Sequence, residues 1–233
     1  MKEKVGFSRR LYRKVLYRNI DKVYEIHFKQ KQMPRNRKKV LDVGMGFGFD
    51  IIKKHRQGYD CYGIDNDKAR VDKTRSMFKK NGVDATFRVG VATKIPFAAN
   101  TFDEVICSHV IEHVPDDRKC LTEIYRVLKR GGKVYLRTPN IHNLHTKFHT
   151  GIGSKLPYTD RTHVREYEKD GLAKLFRDVG FKVKSVESYG FFPPFGLKLM
   201  MVVSHYLPWG QMMEYLGERF PKNSAEIRVR ASK

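Results

Sequence analysis

Cysteine is scarce in this chain, acid is outnumbered, and no apolar run is long. The three cysteines, Cys61, Cys107 and Cys120, stand far apart and make no C-x-x-C pair. An odd, scattered set argues against a disulfide framework and fits a reduced, cytoplasmic setting. The longest apolar run, Leu199–Val203, has 5 residues, against the ~20 needed to span a bilayer. The start, MKEKVGFSRRLYRK, has no apolar core, so no secretory leader is expected. There is no low-complexity linker and no internal repeat among the 233 residues, enough for one large domain with a substantial core.

The charge is lopsided. Asp and Glu number 25 against 47 Lys and Arg, a net charge of +22. Residues 1–39 hold 14 Lys/Arg and 3 Asp/Glu, a local balance of +11. Such a field attracts polyanions, whether RNA, acidic lipid headgroups or phosphorylated intermediates, and it also serves solubility.

Residues 7–32 read as a basic amphipathic helix. Tyr12, Leu16, Ile20 and Val23 recur at helical spacing among Arg9, Arg13, Lys14, Arg18 and Lys22, and Pro34 breaks the pattern. The reading is a helical extension over 1–38 followed by one domain over 39–233. In that domain short apolar runs alternate with helical ones. KVLDVG, YDCYGIDN, DATFRVG, FDEVICS and KVYLRTP read as strands. FDIIKKHRQG, DKARVDKTRSMFKKNG and DDRKCLTEIYRVLKRGG read as helices closed by glycine, the last with acids first and bases last. EKDGLAKLFRDVG, FKVKSVES and AEIRVRASK add a helix and two strands. The alternation predicts an α/β, doubly wound, mostly parallel sheet with right-handed crossovers. Two long irregular stretches, 140–167 and 189–223, exceed the usual ~2–6 residue connection and read as lids.

The loop VLDVGMGFGFD places Gly44, Gly46 and Gly48 between a strand and a helix. Glycine lets the backbone turn sharply and approach a ligand, and the helix beyond offers free N–H groups. Asp65, 17 residues after Gly48, ends the second strand, where a carboxylate can hold both hydroxyls of an adenosine ribose. The spacing is G-x-G-x-G rather than G-x-G-x-x-G, and Asp42 precedes it. That carboxylate suits a ligand carrying an ammonium group and suits a pyrophosphate poorly.

Together these segments resemble a class I S-adenosylmethionine-dependent methyltransferase. VLDVGMGFG is similar to the first motif of that family and YGIDND to the second. IPFAANTFDEVICSHVIEHVPD, EIYRVLKRGGKVYLRTPN and HVREYEKDGLAKLFRDVGFKV follow in the expected order over roughly residues 38–188. The resemblance implies a Rossmann-like seven-stranded sheet whose last strand, here AEIRVRASK, runs antiparallel. It implies S-adenosylmethionine as cofactor, with Asp42 orienting the methionine amino group and Gly44 and Gly46 passing beside the methionine. Asp65 would bind the ribose, with Asn66 beside the adenine. Val91 and Ala92 follow the third strand; many relatives have an acid in place of Val91, so one acceptor for the adenine amino group is missing. Ser108 and His109 would line the cofactor's other side.

His109-x-x-Glu112-His113 matches the H-x-x-E-H pattern of some zinc peptidases, which needs both histidines on a continuing helix. Here the motif follows a strand directly, and Pro115 disfavours helix before it, so the peptidase reading fails on context. Some quinone-pathway and small-RNA methyltransferases carry E-x-x-E-H and a later His here and bind a divalent metal. This chain has His109 where they have the first Glu, then Glu112, His113 and the later His163, ligand types a borderline metal could use, but a bound metal is the less expected outcome.

Methyl transfer from a sulfonium needs an aligned acceptor and, for O–H, acidic C–H or ammonium acceptors, a group to take the proton. The candidates are His113, His163 and Tyr167, the last also read as a packing residue. His142, His145 and His149 are assigned no site. The stretch 189–223 concentrates Phe, Met, Tyr and the single Trp209, suiting an apolar pocket roof or a membrane interface. The expectation is therefore a methyltransferase for a small lipophilic or lipid-linked acceptor, cytoplasmic or peripheral at an anionic membrane. RNA is the second choice of substrate, and a non-catalytic basic adaptor the third reading.

Overall fold

The computed structural model describes residues 37–140, 162–165, 167–191 and 224–233. The basic helix expected at 7–32 lies outside these residues. So do the lid histidines His142, His145 and His149, and the aromatic stretch around Trp209. The chain forms two compact units, one ending at Val89 and the other beginning at Gly90.

In the first unit, β1 (Lys39–Val43), β2 (Asp60–Asp65) and β3 (Ala85–Val89) run parallel in the order β3-β2-β1. Val40↔Cys61 and Cys61↔Ala85 set the register. α1 (Phe49–Arg56) has Asp50 in its first turn and Lys53, Lys54, His55 and Arg56 in its last, as the helix dipole prefers. Its Ile51 and Ile52 are buried. α2 (Lys68–Lys80) is capped by Asp67, whose side chain accepts from the Arg70 N–H, and it buries Val71, Thr74, Met77 and Phe78 at helical spacing. Phe78 meets Phe87 of β3 edge to face at 4.9 Å.

In the second unit, β4 (Phe102–Ser108), β5 (Leu128–Pro139), β7 (Ser224–Ser232) and β6 (Lys182–Phe191) lie in the order β4-β5-β7-β6. β4 and β5 are parallel, and β7 is antiparallel to both its neighbours. α3 (Asp117–Val127) is capped by Asp116, and α4 (Lys169–Val179) is closed by Gly180 in the left-handed region. α3 buries Cys120, Leu121, Ile124 and Val127, and α4 buries Leu172, Ala173 and Phe176. Val105, Cys107, Val134, Leu136, Ile227 and Val229 supply the sheet's share of this core. The three cysteines are buried thiols.

Three parallel strands in the first unit, and four in the second with β7 antiparallel to its neighbours, agree with the mostly parallel α/β fold expected of the sequence. Two boundaries differ. The helix read through LKRGG stops at Val127, and Leu128 already belongs to β5, where it is fully buried and pairs with Phe102. Lys129, read as a base of the helix C-terminus, instead donates to both oxygens of Asp103 at 2.9 and 2.8 Å. β6 continues through Tyr189 to Phe191, three residues into the expected insertion, because β7 pairs with it as far as Ser224.

Candidate active site

The first unit supplies a buried acid at the carboxyl end of each of two strands. Asp42 near the end of β1 and Asp65 at the end of β2 are each 3% exposed. The loop after β1 holds Gly44, Gly46 and Gly48 at φ 69, 55 and 73, in the left-handed region that L side chains avoid. Gly48 has a second constraint: a Cβ there would lie 3.1 Å from the Phe78 ring. Asp65 clasps this loop. Its Oδ2 accepts the Gly46 N–H at 3.0 Å and its Oδ1 accepts the Asp67 N–H at 3.0 Å. Thr74 of α2 donates its hydroxyl to the Gly46 carbonyl at 3.2 Å. Asn66 is exposed beside Asp65.

A residue that sequence reasoning missed completes this group. Arg70 Nη1 donates to both oxygens of Asp65, at 3.3 and 3.2 Å. The guanidinium also approaches Asp67, 3.6 Å from Oδ2. The signal available was its place in the first turn of a helix that begins beside the acid.

The second unit carries the remaining predicted residues. Val91 is 48% exposed and its carbonyl accepts the Lys94 N–H at 3.0 Å, while Ala92 is buried. Ser108 ends β4, half-buried, opposite Arg137. The chain then turns through His109, whose φ of 53 is uncommon outside glycine, into a single 3₁₀ turn, Ile111–His113. The H-x-x-E-H motif therefore lies on no continuing helix, as Pro115 implied.

The side chain of His109, read as lining the cofactor, is directed to two carboxylates. Nε2 lies 2.9 Å from Glu226 Oε1 of β7, and Nδ1 lies 3.4 Å from Glu112 Oε1. The second distance is an ion-pair contact rather than a formed hydrogen bond, since Glu112 Oε1 has no hydrogen-bond partner among the described residues. Glu112 first, then Glu226, pushes the His109 imidazole up to about 9, against the opposing effect of burial. Burial pushes the Glu226 carboxyl up, but His109, with Arg228 and Arg137, outweighs it and holds the group below the ordinary glutamate range.

His113 and His163 come together. Their rings meet edge to face at 4.8 Å. His113 Nδ1 faces the Thr162 carbonyl oxygen at 3.2 Å and the Thr162 hydroxyl at 3.0 Å. A proton on Nδ1 satisfies the carbonyl, whereas the hydroxyl either accepts that proton or donates to a bare Nδ1, so the tautomer follows the hydroxyl's orientation. Glu112, His113 and His163 each bring one ligand atom within 4.8 Å of the others. One carboxylate and two imidazoles fit a borderline divalent ion. His109, with both nitrogens directed to glutamates, does not join that set.

Tyr167 stands apart from the histidines in its surroundings. It is 5% exposed, and its hydroxyl donates to Asp117 Oδ2 at 3.0 Å. Arg165 pairs with the same carboxylate. Burial, then the Asp117 charge, raises the phenol above its ordinary range, which disfavours deprotonation.

The parallel strands, the glycine loop and the two buried acids define the class I methyltransferase fold. Comparison with known proteins agrees. Residues 41–136 match the family described as a methyltransferase domain. A demethylmenaquinone methyltransferase of Geobacillus sp. (strain WCH70) is 30% identical over 175 residues, covering 66% of this chain and 75% of that protein. A ubiquinone biosynthesis O-methyltransferase of Pseudomonas entomophila is 35% identical over 107 residues, 44% of this chain and 45% of that protein. The solved structure of the YcgJ protein from Bacillus subtilis superposes with a TM-score of 0.56 at 19% identity, covering 90% of this chain and 94% of that one. The chain belongs to the S-adenosylmethionine-dependent methyltransferase family. It spans less than half the length of several of the curated relatives it matches.

Proposed function

We propose that this chain transfers the methyl group of S-adenosylmethionine to a small lipophilic acceptor of the quinol type. The observation that carries the reading is the setting of His113: both Thr162 oxygens lie at its Nδ1, so that with the proton on Nδ1 its Nε2 is the nitrogen able to accept one. One relative is named for demethylmenaquinone and another for ubiquinone biosynthesis, which supports an acceptor bearing a phenolic hydroxyl or an acidic ring carbon.

In this reading Asp65 accepts the ribose hydroxyls, Asp42 orients the methionine ammonium, and Gly44 and Gly46 let the backbone run beside the methionine. When bound, S-adenosylmethionine supplies an electrophilic methyl carbon on a sulfonium. Asn66, Val91 and Ala92 stand by the adenine, and Ser108 by the sulfonium side. With the cofactor bound, His113 Nε2 would take the acceptor's proton and leave the acceptor atom nucleophilic toward the methyl carbon that the sulfonium supplies. His163 packs against His113 and faces the same acceptor. Tyr167 positions the segment that carries His163, through Asp117, rather than acting as a base.

The test is methyl transfer to reduced demethylmenaquinone and to simpler phenols, followed with labelled cofactor. His113→Asn is expected to lower turnover by about 10²–10⁴ with cofactor binding unchanged. An unchanged rate would refute the assignment. A second reading rests on buried Glu112, whose Oε1 forms no hydrogen bond among the described residues, and on the two imidazoles that bring ligand atoms within 4.8 Å of its carboxyl group: these residues would hold a divalent ion that orients the acceptor oxygen. Turnover that a chelator abolishes and added metal restores would favour it; turnover indifferent to chelation favours the base.

The net charge of +22 and the aromatic stretch within 189–223 suit a location at an anionic membrane surface. Among the described residues no helix is long and apolar enough to cross a membrane.

A further inference from the structure

His109 is drawn to two acids that share no stretch of sequence. Glu112 lies three residues on, and Glu226 lies on β7, 117 residues away. The backbone is held as firmly. The His109 N–H donates to the Arg137 carbonyl at 2.9 Å, and φ stands at 53, a conformation that needs surrounding contacts to persist.

Glu112 is 1% exposed. Its Oε2 accepts from the Thr138 hydroxyl at 3.1 Å, and its Oε1 has the His109 Nδ1 at 3.4 Å. A carboxyl group buried this deeply needs a polar partner for each oxygen. The backbone carbonyl of the same residue accepts the N–H groups of Val164, at 2.8 Å, and Arg165, at 3.3 Å. Those residues directly follow Thr162 and His163. Thr162 in turn holds Nδ1 of His113. The contacts thus run from His109 through Glu112 to the return segment, and from that segment back to His113.

We propose that His109 is a positioning residue whose imidazole joins Glu112 to Glu226 and so holds Thr162–Arg165 against His113. It rests on the reading of His113 as the proton acceptor, and it moves His109 out of the cofactor's lining. The clasp also ties the turn after β4 to the first residues of β7, so Glu226 enters the site's support although no motif marks it.

The test is histidine ¹⁵N NMR of the full chain saturated with S-adenosylhomocysteine, with calorimetry for that ligand's affinity. His109→Asn is the informative variant, because Asn tolerates a positive φ and removes the imidazole that reaches both glutamates. It is expected to speed exchange of the His113 Nδ1 proton by about tenfold or more, with affinity changed by less than about twofold. Glu226→Gln, which leaves residue 109 untouched, should do the same, so a poorly folded His109 variant does not end the test. An unchanged His113 Nδ1 signal in both variants overturns the proposal. A tenfold loss of affinity with that signal unchanged overturns it as well, and returns His109 to the cofactor's lining. Should His113→Asn leave methyl transfer intact while the His109 variant still alters the His113 signal, the clasp stands and the proton-acceptor reading falls.

Discussion

Asp65 is saturated before any ligand arrives. Each oxygen already takes one backbone N–H and one contact from Arg70. Ribose hydroxyls can reach it only by displacing the guanidinium, which has Asp67 within 3.6 Å as an alternative partner. Arg70→Ala should therefore tighten cofactor binding, by about fivefold if the half-exposed pair is worth ~1 kcal/mol. Calorimetry that finds weaker binding in this variant would show Arg70 to be a ligand instead. His109 gives a second prediction at this scale. Its folded pKa of about 9 lies above the ordinary 6.5, so its contribution to stability is complete below the lower value and is lost as pH rises through the higher. Glu112 and Glu226 face it, with Arg228 and Arg137 behind Glu226. The melting temperature of the parent chain should fall toward that of His109→Asn across this window. A constant difference would remove the imidazolium from the account.

The elements were legible where local chemistry decides them. Asp67 and Asp116 cap α2 and α3 through their own side chains, and Gly180 closes α4 in the left-handed region. The misread boundaries were set by distant partners. Leu128 looks like a helix residue until its pairing with Phe102 is known, and Tyr189–Phe191 look like insertion until β7 lies alongside. The site divides in the same way. Asp42, the glycines and Asp65 are recognisable from spacing along one strand–loop–helix unit. The partner of His109 is 117 residues away, and nothing in a linear motif points to it. Gly48 tests the loop as an element: with φ at 73 and the Phe78 ring 3.1 Å from a Cβ, Gly48→Ala should cost about 1–3 kcal/mol. Thermal melting reads this, and an unchanged midpoint would show that the loop relaxes freely. Phe176→Ala, in the core of α4 at 0% exposure, should cost ~3–5 kcal/mol by cavity formation.

At the scale of the whole chain the charge is strongly one-sided. With 47 basic residues against 25 acidic, association with anionic vesicles should be measurable at low salt. It should weaken as the Debye length shortens to about 8 Å near physiological ionic strength. Sedimentation with RNA but not with vesicles would favour the nucleic-acid substrate instead. The proposed methyl transfer depends first on Asp65 gripping the ribose, and calorimetric titration of the parent chain and Asp65→Ala with S-adenosylmethionine measures that grip. Loss of two hydrogen bonds to a buried carboxylate should weaken binding by about 100-fold or more; equal affinity in the two proteins would contradict it.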